Sequence, residues 1–222
     1  MISDPRGTAG LVTREVRNAT RDGRPTKVVV ARRSYPTDQA DLWNAITDRE
    51  RLPRWFAPVS GELRLGGRFQ VEGNAGGVVE HCDEPESFRI TWEMGEQVSW
   101  VAVTLTPAGD TTVLELAHES WADDPAAAEF WARYGPGAVG VGWDLALLGL
   151  ALHVDTGAPV DPEIATGFTF SPEGKTFVEV AAAGWADGAI GAGDDPTAAR
   201  DAAARTVAFY TTDPSEGGEQ PS

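Results

Sequence analysis

Three histidines and a single cysteine carry most of the reactive chemistry in this chain, and their spacing builds no recognised motif. His81, His118 and His153 fall on three separate segments. No H-x-x-x-H or C-x-x-C pair occurs, so no two ligands share a helix face or a tight loop as a zinc site requires. On a strand over 76–83 successive side chains point to opposite faces. Val79 and His81 then share one face, and Glu80 and Cys82 the other. A Cys–His pair must lie within hydrogen-bond reach to activate the thiol, so Cys82 reads as a packed thiol. His118 alternates in step with Leu114 and Leu116 and is expected to point inward, as is His81. Inward histidines are either satisfied structural groups or donors and a general base beside a cavity. Gly66-Gly67 and Gly76-Gly77 bracket a strand instead of opening a helix, so they read as turns or bends and not as a phosphate loop. No catalytic residue, metal site or cofactor is assigned.

The aromatic residues say more. There are eight tryptophans, and a fully buried aromatic removes roughly 150–250 Å² from water. The stretch 54–69, RWFAPVSGELRLGGRF, crowds Trp55 and Phe56 against Pro58 and a glycine pair. Its expected form is a helix end folded onto a bent strand pair, with the glycines letting the backbone curl and the aromatics covering one side of an opening. Trp92 and Trp143 fit either core or cavity wall. The candidate ligand-binding set is Trp55, Phe56, Phe69, His81, Trp92, His118 and Trp143. Asp144 is the odd charge of an apolar helix. If that helix begins near Gly142, its carboxylate complements the exposed N–H groups of the first turn. Arg68 and Arg89 alternate outward.

These residues need elements to position them. LVTREVRNA and TKVVVARRSY flank TRDGRP, and Asp22-Gly23 predicts a tight hairpin turn. Pro36 ends the second strand, and a helix from Thr37 carries Leu42, Ala45 and Ile46 at helical spacing. Thr47-Asp48-Arg49-Glu50 reads as a capping box for a short helix with Leu52 and Trp55, limited by Pro53. From there the period is two, with strands expected over 60–65, 67–73, 76–83, 87–93, 98–106 and 111–120. Short turns between them imply an antiparallel meander. Gly142 to Val154 is apolar nearly all round, so it must be covered on most sides; a curved sheet would grip it. The segment PVDPEIATGF is expected to be irregular. Ser171-Pro172 and Asp195-Pro196 open helices 172–187 and 196–211, and DPSEGGEQPS reads as disordered.

The net charge of −16 is uneven. Residues 1–33 hold eight Arg/Lys against three Asp/Glu, leaving about −21 for the rest. An acidic body repels nucleic acid and anionic membranes. Residues 135–154 approach the length of a membrane span, but Asp144 near the centre is costly in lipid, so no span is expected. One cysteine and no leader-like apolar run point to the cytoplasm.

With Trp43-Asn44-Ala45-Ile46-Thr47-Asp48, Leu52, Arg54-Trp55-Phe56, Pro58-Val59, Gly66-Gly67-Arg68-Phe69 and Gly77-Val78-Val79-Glu80 in place, the chain resembles a known superfamily. Pro85 ahead of Thr91-Trp92-Glu93, then His118, Gly142-Trp143-Asp144 and Leu148, complete the pattern. It is similar to the START-like, birch-pollen-allergen-like (SRPBCC) proteins, in the branch of the activator of Hsp90 ATPase homologue, over about residues 26–155. The resemblance implies an α+β helix-grip fold, a curved antiparallel sheet wrapped around a long C-terminal helix. Here a C-terminal helical hairpin follows. The expected divisions are 1–25 as a basic arm and first hairpin strand, 26–156 as the helix-grip domain, and 157–222 as a helical extension with a disordered tail. The resemblance further implies binding of a small hydrophobic or amphipathic molecule between sheet and helix. Two alternatives stay open: an enzyme on the same fold, aromatase/cyclase- or hydrolase-like, using His81 or His118 as base; and an interaction module in which the helical extension docks a partner or extends a homodimer contact.

Overall fold

The computed structural model describes residues 2–212; the expected disordered end, 213–222, lies outside them. In chain order the elements are helix α1 (Pro5–Gly10), strands β1 (Thr13–Arg21) and β2 (Arg24–Tyr35), helix α2 (Gln39–Thr47) and a 3-10 turn at Leu52–Arg54. Strands β3 (Val59–Gly61), β4 (Arg68–Val71), β5 (Gly76–Asp83), β6 (Ser87–Met94), β7 (Gln97–Ala108) and β8 (Thr111–Trp121) follow. Helices α3 (Pro125–Tyr134), α4 (Gly137–Thr156) and α5 (Pro162–Gly167), a 3-10 turn at Phe168–Phe170, and helices α6 (Pro172–Gly191) and α7 (Pro196–Thr211) complete the chain.

All eight strands join one curved, unclosed antiparallel sheet in the order β1-β2-β8-β7-β6-β5-β4-β3. The α+β helix-grip architecture expected from the sequence is the one present. The first hairpin turns on Asp22 and Gly23, at φ 50° and 79°, the positive values a two-residue hairpin loop of this kind demands. Pairing of β2 with β8 then welds the hairpin to the meander. Val29 lies opposite His118 and Ala31 opposite Leu116 on one side, with Val101 opposite His118 and Val103 opposite Leu116 on the other. The period of two therefore lines up a concave apolar face. The alternate residues form a charged outer face, where Arg32 bridges Glu115 at 2.5 Å and Glu15 at 3.0 Å.

Helix α4 lies in the concavity. It begins at Gly137 and not near Gly142, so the glycine-rich first third is helical after all. The reason is close packing. A Cβ on Gly140 would stand 2.2 Å from the Trp185 ring, and one on Gly137 2.8 Å from Thr206 Oγ1. These glycines let α6 and α7 approach, and that contact outweighs their poor helix propensity. Helix α6 supplies Phe177, Val178, Ala181, Ala182 and Trp185 to the same core as the sheet and α4. Among the described residues α4 is the one helix long and apolar enough to cross a membrane, and it is mostly buried within the fold.

Other departures are local. Of the expected strand 60–65 only Ser60 and Gly61 pair, in a strand that starts at Val59. The helix expected from Thr37 starts at Gln39, with Asp38 Oδ1 accepting the N–H of Asp41 at 2.8 Å. The capping box does not form: Thr47 ends α2, its hydroxyl donating to the Trp43 carbonyl, while Asp48 Oδ1 accepts the N–H groups of Glu50 and Arg51 at 2.9 Å each. Helices α1, α3 and α5 were not expected, and α6 runs on to Gly191.

Candidate ligand cavity

A cavity of about 570 Å³ separates the concave sheet face from α4. Its floor is sheet: Phe69, Val79, Ile90, Val101, Val103 and Leu116. Its roof is one stripe of α4, Trp143, Ala146, Leu147 and Leu150, at the i, i+3, i+4, i+7 spacing that places residues on a single helix face. Trp43 of α2 closes one side, and Trp55 and Phe56, around the end of the 3-10 turn, close another. The rim holds the exposed residues Asn44, Leu63, Cys82 and Glu84. Gly149 lets this front wall seat, since a Cβ there would lie 2.8 Å from the Trp55 carbonyl oxygen.

Of the seven sequence-predicted residues, Trp55, Phe56, Phe69, Trp92 and Trp143 border the cavity. His118 stands behind two of them, its ring centroid 6.4 Å from that of Trp92 and 5.9 Å from that of Trp143. His81 does not join them and is exposed. The alternation that put His81 beside Val79 breaks at a β-bulge: Val79 pairs with Ile90, but His81 pairs with Arg89. One extra residue reverses every later side chain. Cys82, expected on the opposite face, thus borders the cavity and His81 turns to solvent. The sequence reading also missed Trp43, whose place in the α2 stripe with Leu42, Ala45 and Ile46 was its available signal.

The polar groups around the cavity are mostly committed. Trp55 Nε1 donates to the Ala45 carbonyl at 2.9 Å. Trp143 Nε1 donates to His118 Nδ1 at 3.0 Å. An indole nitrogen only donates, so Nδ1 accepts and the neutral ring carries its proton on Nε2. That N–H reaches Ser99 Oγ at 2.8 Å, and the serine hydroxyl donates to the Trp92 carbonyl at 3.1 Å. Burial holds His118 neutral, with its pKa lowered to about 4. Both ring nitrogens are occupied, which leaves neither to take a proton from a bound molecule. Burial, and then the neighbouring Glu84 and Asp83 carboxylates, push the Cys82 thiol above its ordinary range, which disfavours the thiolate a nucleophile needs. No group of three His, Cys, Asp or Glu is placed to hold a metal ion among the described residues.

Two polar nodes outside the cavity fix α4. At its C-terminal end Arg51 Nε donates to His153 Nε2 at 3.1 Å, and His153 Nδ1 bonds the Ala158 carbonyl at 2.9 Å. Arg51 also pairs with Asp41 of α2 at 2.6 Å. In the middle of α4, fully buried Asp144 meets Arg14 of β1 at 3.0 Å and accepts from Trp185 Nε1 of α6 at 2.8 Å. The expected role of Asp144 at a helix N-terminus is therefore wrong. It lies two turns inside the helix, and its partners are a guanidinium and an indole. Burial raises its pKa against the opposing pull of Arg14.

A curved antiparallel sheet clasping a long apolar helix over a cavity defines a helix-grip protein of the START-like (SRPBCC) class. The chain belongs to the family described as Activator of Hsp90 ATPase homolog 1-like protein, which matches residues 36–155. CalU16 from Micromonospora echinospora is 28% identical over 80% of this chain and 97% of its own in the crystal, with a TM-score of 0.61. Its solution structure, also 28% identical, covers 82% and 96% at a TM-score of 0.66. The protein EF2215 from Enterococcus faecalis shares the fold at 17% identity, covering 72% and 90% with a TM-score of 0.53. No curated protein matches the chain.

Proposed function

We propose that this protein binds a small hydrophobic or amphipathic molecule in the cavity between sheet and α4. The observation that carries the reading is the wall itself. A space of about 570 Å³, within the roughly 300–1,000 Å³ usual for ligand pockets, is lined mostly by apolar and aromatic side chains, with Asp48 and Glu84 the charged members among the described residues. An apolar solute entering it leaves water on most sides, at about 25 cal/mol per Å² of apolar surface removed. Catalytic use of the same space is less well supported, because His81 faces solvent and His118 has both nitrogens engaged. Docking through the helical extension is weakened by the commitment of α6 to the core. With one cysteine, exposed and unpaired, the chain suits a reducing compartment such as the cytoplasm.

The test is binding of the neutral fluorescent probe N-phenyl-1-naphthylamine, together with native mass spectrometry against a panel of lipids and aromatic polyketides. Saturable one-to-one binding that raises the melting temperature is expected. Absence of saturable binding for probe and panel alike overturns the reading.

A further inference from the structure

The charged residues that border the cavity are Asp48 and Glu84, both acidic. No lysine or arginine borders it among the described residues. Arginines of the neighbouring segments are turned to other partners: Arg49 to the Gly61 carbonyl, Arg51 to Asp41, Arg54 to the Gly157 carbonyl, Arg64 to Glu62, and Arg89 to Glu80. Asp48 is held in place because its Oδ1 accepts two backbone N–H groups. Glu84 makes no hydrogen bond or ion pair within the described residues, and it is exposed at the rim. Cys82, also in the lining, feels the acidic charge at its end of β5, since Glu84 and Asp83 add to burial in pushing its thiol up.

We infer that the cavity selects amphipathic cations: molecules with an apolar body that fills the space and an ammonium-type head drawn to its acidic lining residues, Glu84 at the rim and Asp48. The inference rests on the ligand-binding reading above and specifies the ligand's polar end. A molecule that buries its body must leave its head at the mouth, where low-dielectric walls on one side strengthen the interaction between charges. A carboxylate head meets only like charge among the charged lining residues described. An ammonium head meets only opposite charge, and Glu84 gives up no internal bond to receive it. The acidic balance of the chain, −16 overall, acts in the same direction at longer range.

The experiment displaces N-phenyl-1-naphthylamine from the full chain at pH 7 and low salt, using decylammonium, decanol and decanoate below their aggregation limits. One alkyl chain with three heads isolates the charge. Decylammonium is expected to displace the probe at a concentration at least tenfold below that of decanoate, with decanol between them. Glu84→Gln is expected to shrink that preference, measured relative to decanol in the same variant, at least threefold. Asp201→Asn, an exposed change of equal charge on α7, is expected to leave the preference intact. Equal or better displacement by decanoate, with decanol still active, overturns the cation inference and leaves the cavity reading standing. Loss of the preference in Asp201→Asn to the same degree overturns the assignment to the rim. Failure of the probe and all three amphiphiles to bind overturns both readings.

Discussion

Trp143 of α4 donates its indole N–H to Nδ1 of His118 on β8 across 3.0 Å, fastening the clasped helix to the sheet at the end of the cavity. The bond requires an unprotonated Nδ1. Protonation of His118 would set two donors against each other and bury a charge. The folded-state pKa, lowered to about 4, lies below the roughly 6.5 of an unfolded histidine, so the unfolded chain takes up this proton first. Stability from His118 is therefore complete above about pH 6.5 and is lost as pH falls through about 4. Linkage sets the loss at about 3 kcal/mol. Urea unfolding between pH 7.5 and 4 checks it: wild type should lose that much more than His118→Gln, whose remaining pH dependence comes from the carboxylates. Parallel curves would show that His118 titrates normally.

The Arg14–Asp144–Trp185 node joins β1, α4 and α6 inside the core. Removing one member of a buried ion pair strands the other, at about 3–5 kcal/mol. Arg14→Met should cost that much, because Asp144 then faces only an indole. Asp144→Asn should cost a similar amount, because Arg14 keeps its carbonyl partners Ala9 and Val12 but loses its counter-charge. The double variant should lose clearly less than the sum of the two, and chemical denaturation of all four proteins measures the coupling. Simple additivity would mean the pair is not coupled.

Two glycines of the helical half, Gly140 and Gly191, stand at opposite extremes of local space. Gly140 has no room for a methyl, since its Cβ would meet the rigid Trp185 ring at 2.2 Å. Gly191, at the end of α6, has nothing within 4 Å and no positive φ. Gly140→Ala should destabilise by about 1–3 kcal/mol or more through overpacking. Gly191→Ala should be neutral or stabilise by up to about 1 kcal/mol through reduced backbone freedom in the unfolded chain. Melting temperatures of the two variants separate the cases directly.

The sheet was readable because its signals are local: Asp22-Gly23 sets one hairpin, and alternation along Phe88–Glu93 sets a wet and a dry face. The site was less readable because it depends on events with no local signature. The bulge after Val79 exchanges His81 for Cys82 at the cavity edge, and nothing between 76 and 83 announces an extra residue. The early start of α4 depends on Trp185 and Thr206, far along the chain, which turn helix-weakening glycines into contact points. Helices α1 and α3 are a different matter. Asp4-Pro5 and Asp124-Pro125 carry the same capping residue and first-turn proline that revealed α6 and α7 at Ser171-Pro172 and Asp195-Pro196. Both helices are short, six and ten residues, so little apolar periodicity follows the signal to support it.

Ala146 offers a way to separate fold from cavity. It sits between Trp143 and Leu150 in the α4 stripe that lines the cavity, so a larger side chain there grows into the cavity and not into packed neighbours. A ring placed there buries further apolar area against the cavity lining, at about 25 cal/mol per Å². Ala146→Phe should therefore hold or raise the melting temperature. The same ring takes the volume that a bound molecule's apolar body needs, so affinity for N-phenyl-1-naphthylamine should fall at least tenfold. A variant that keeps its stability and binds the probe as tightly as wild type would place binding somewhere other than between α4 and the sheet. A variant that loses stability would show that Ala146 already faces filled space.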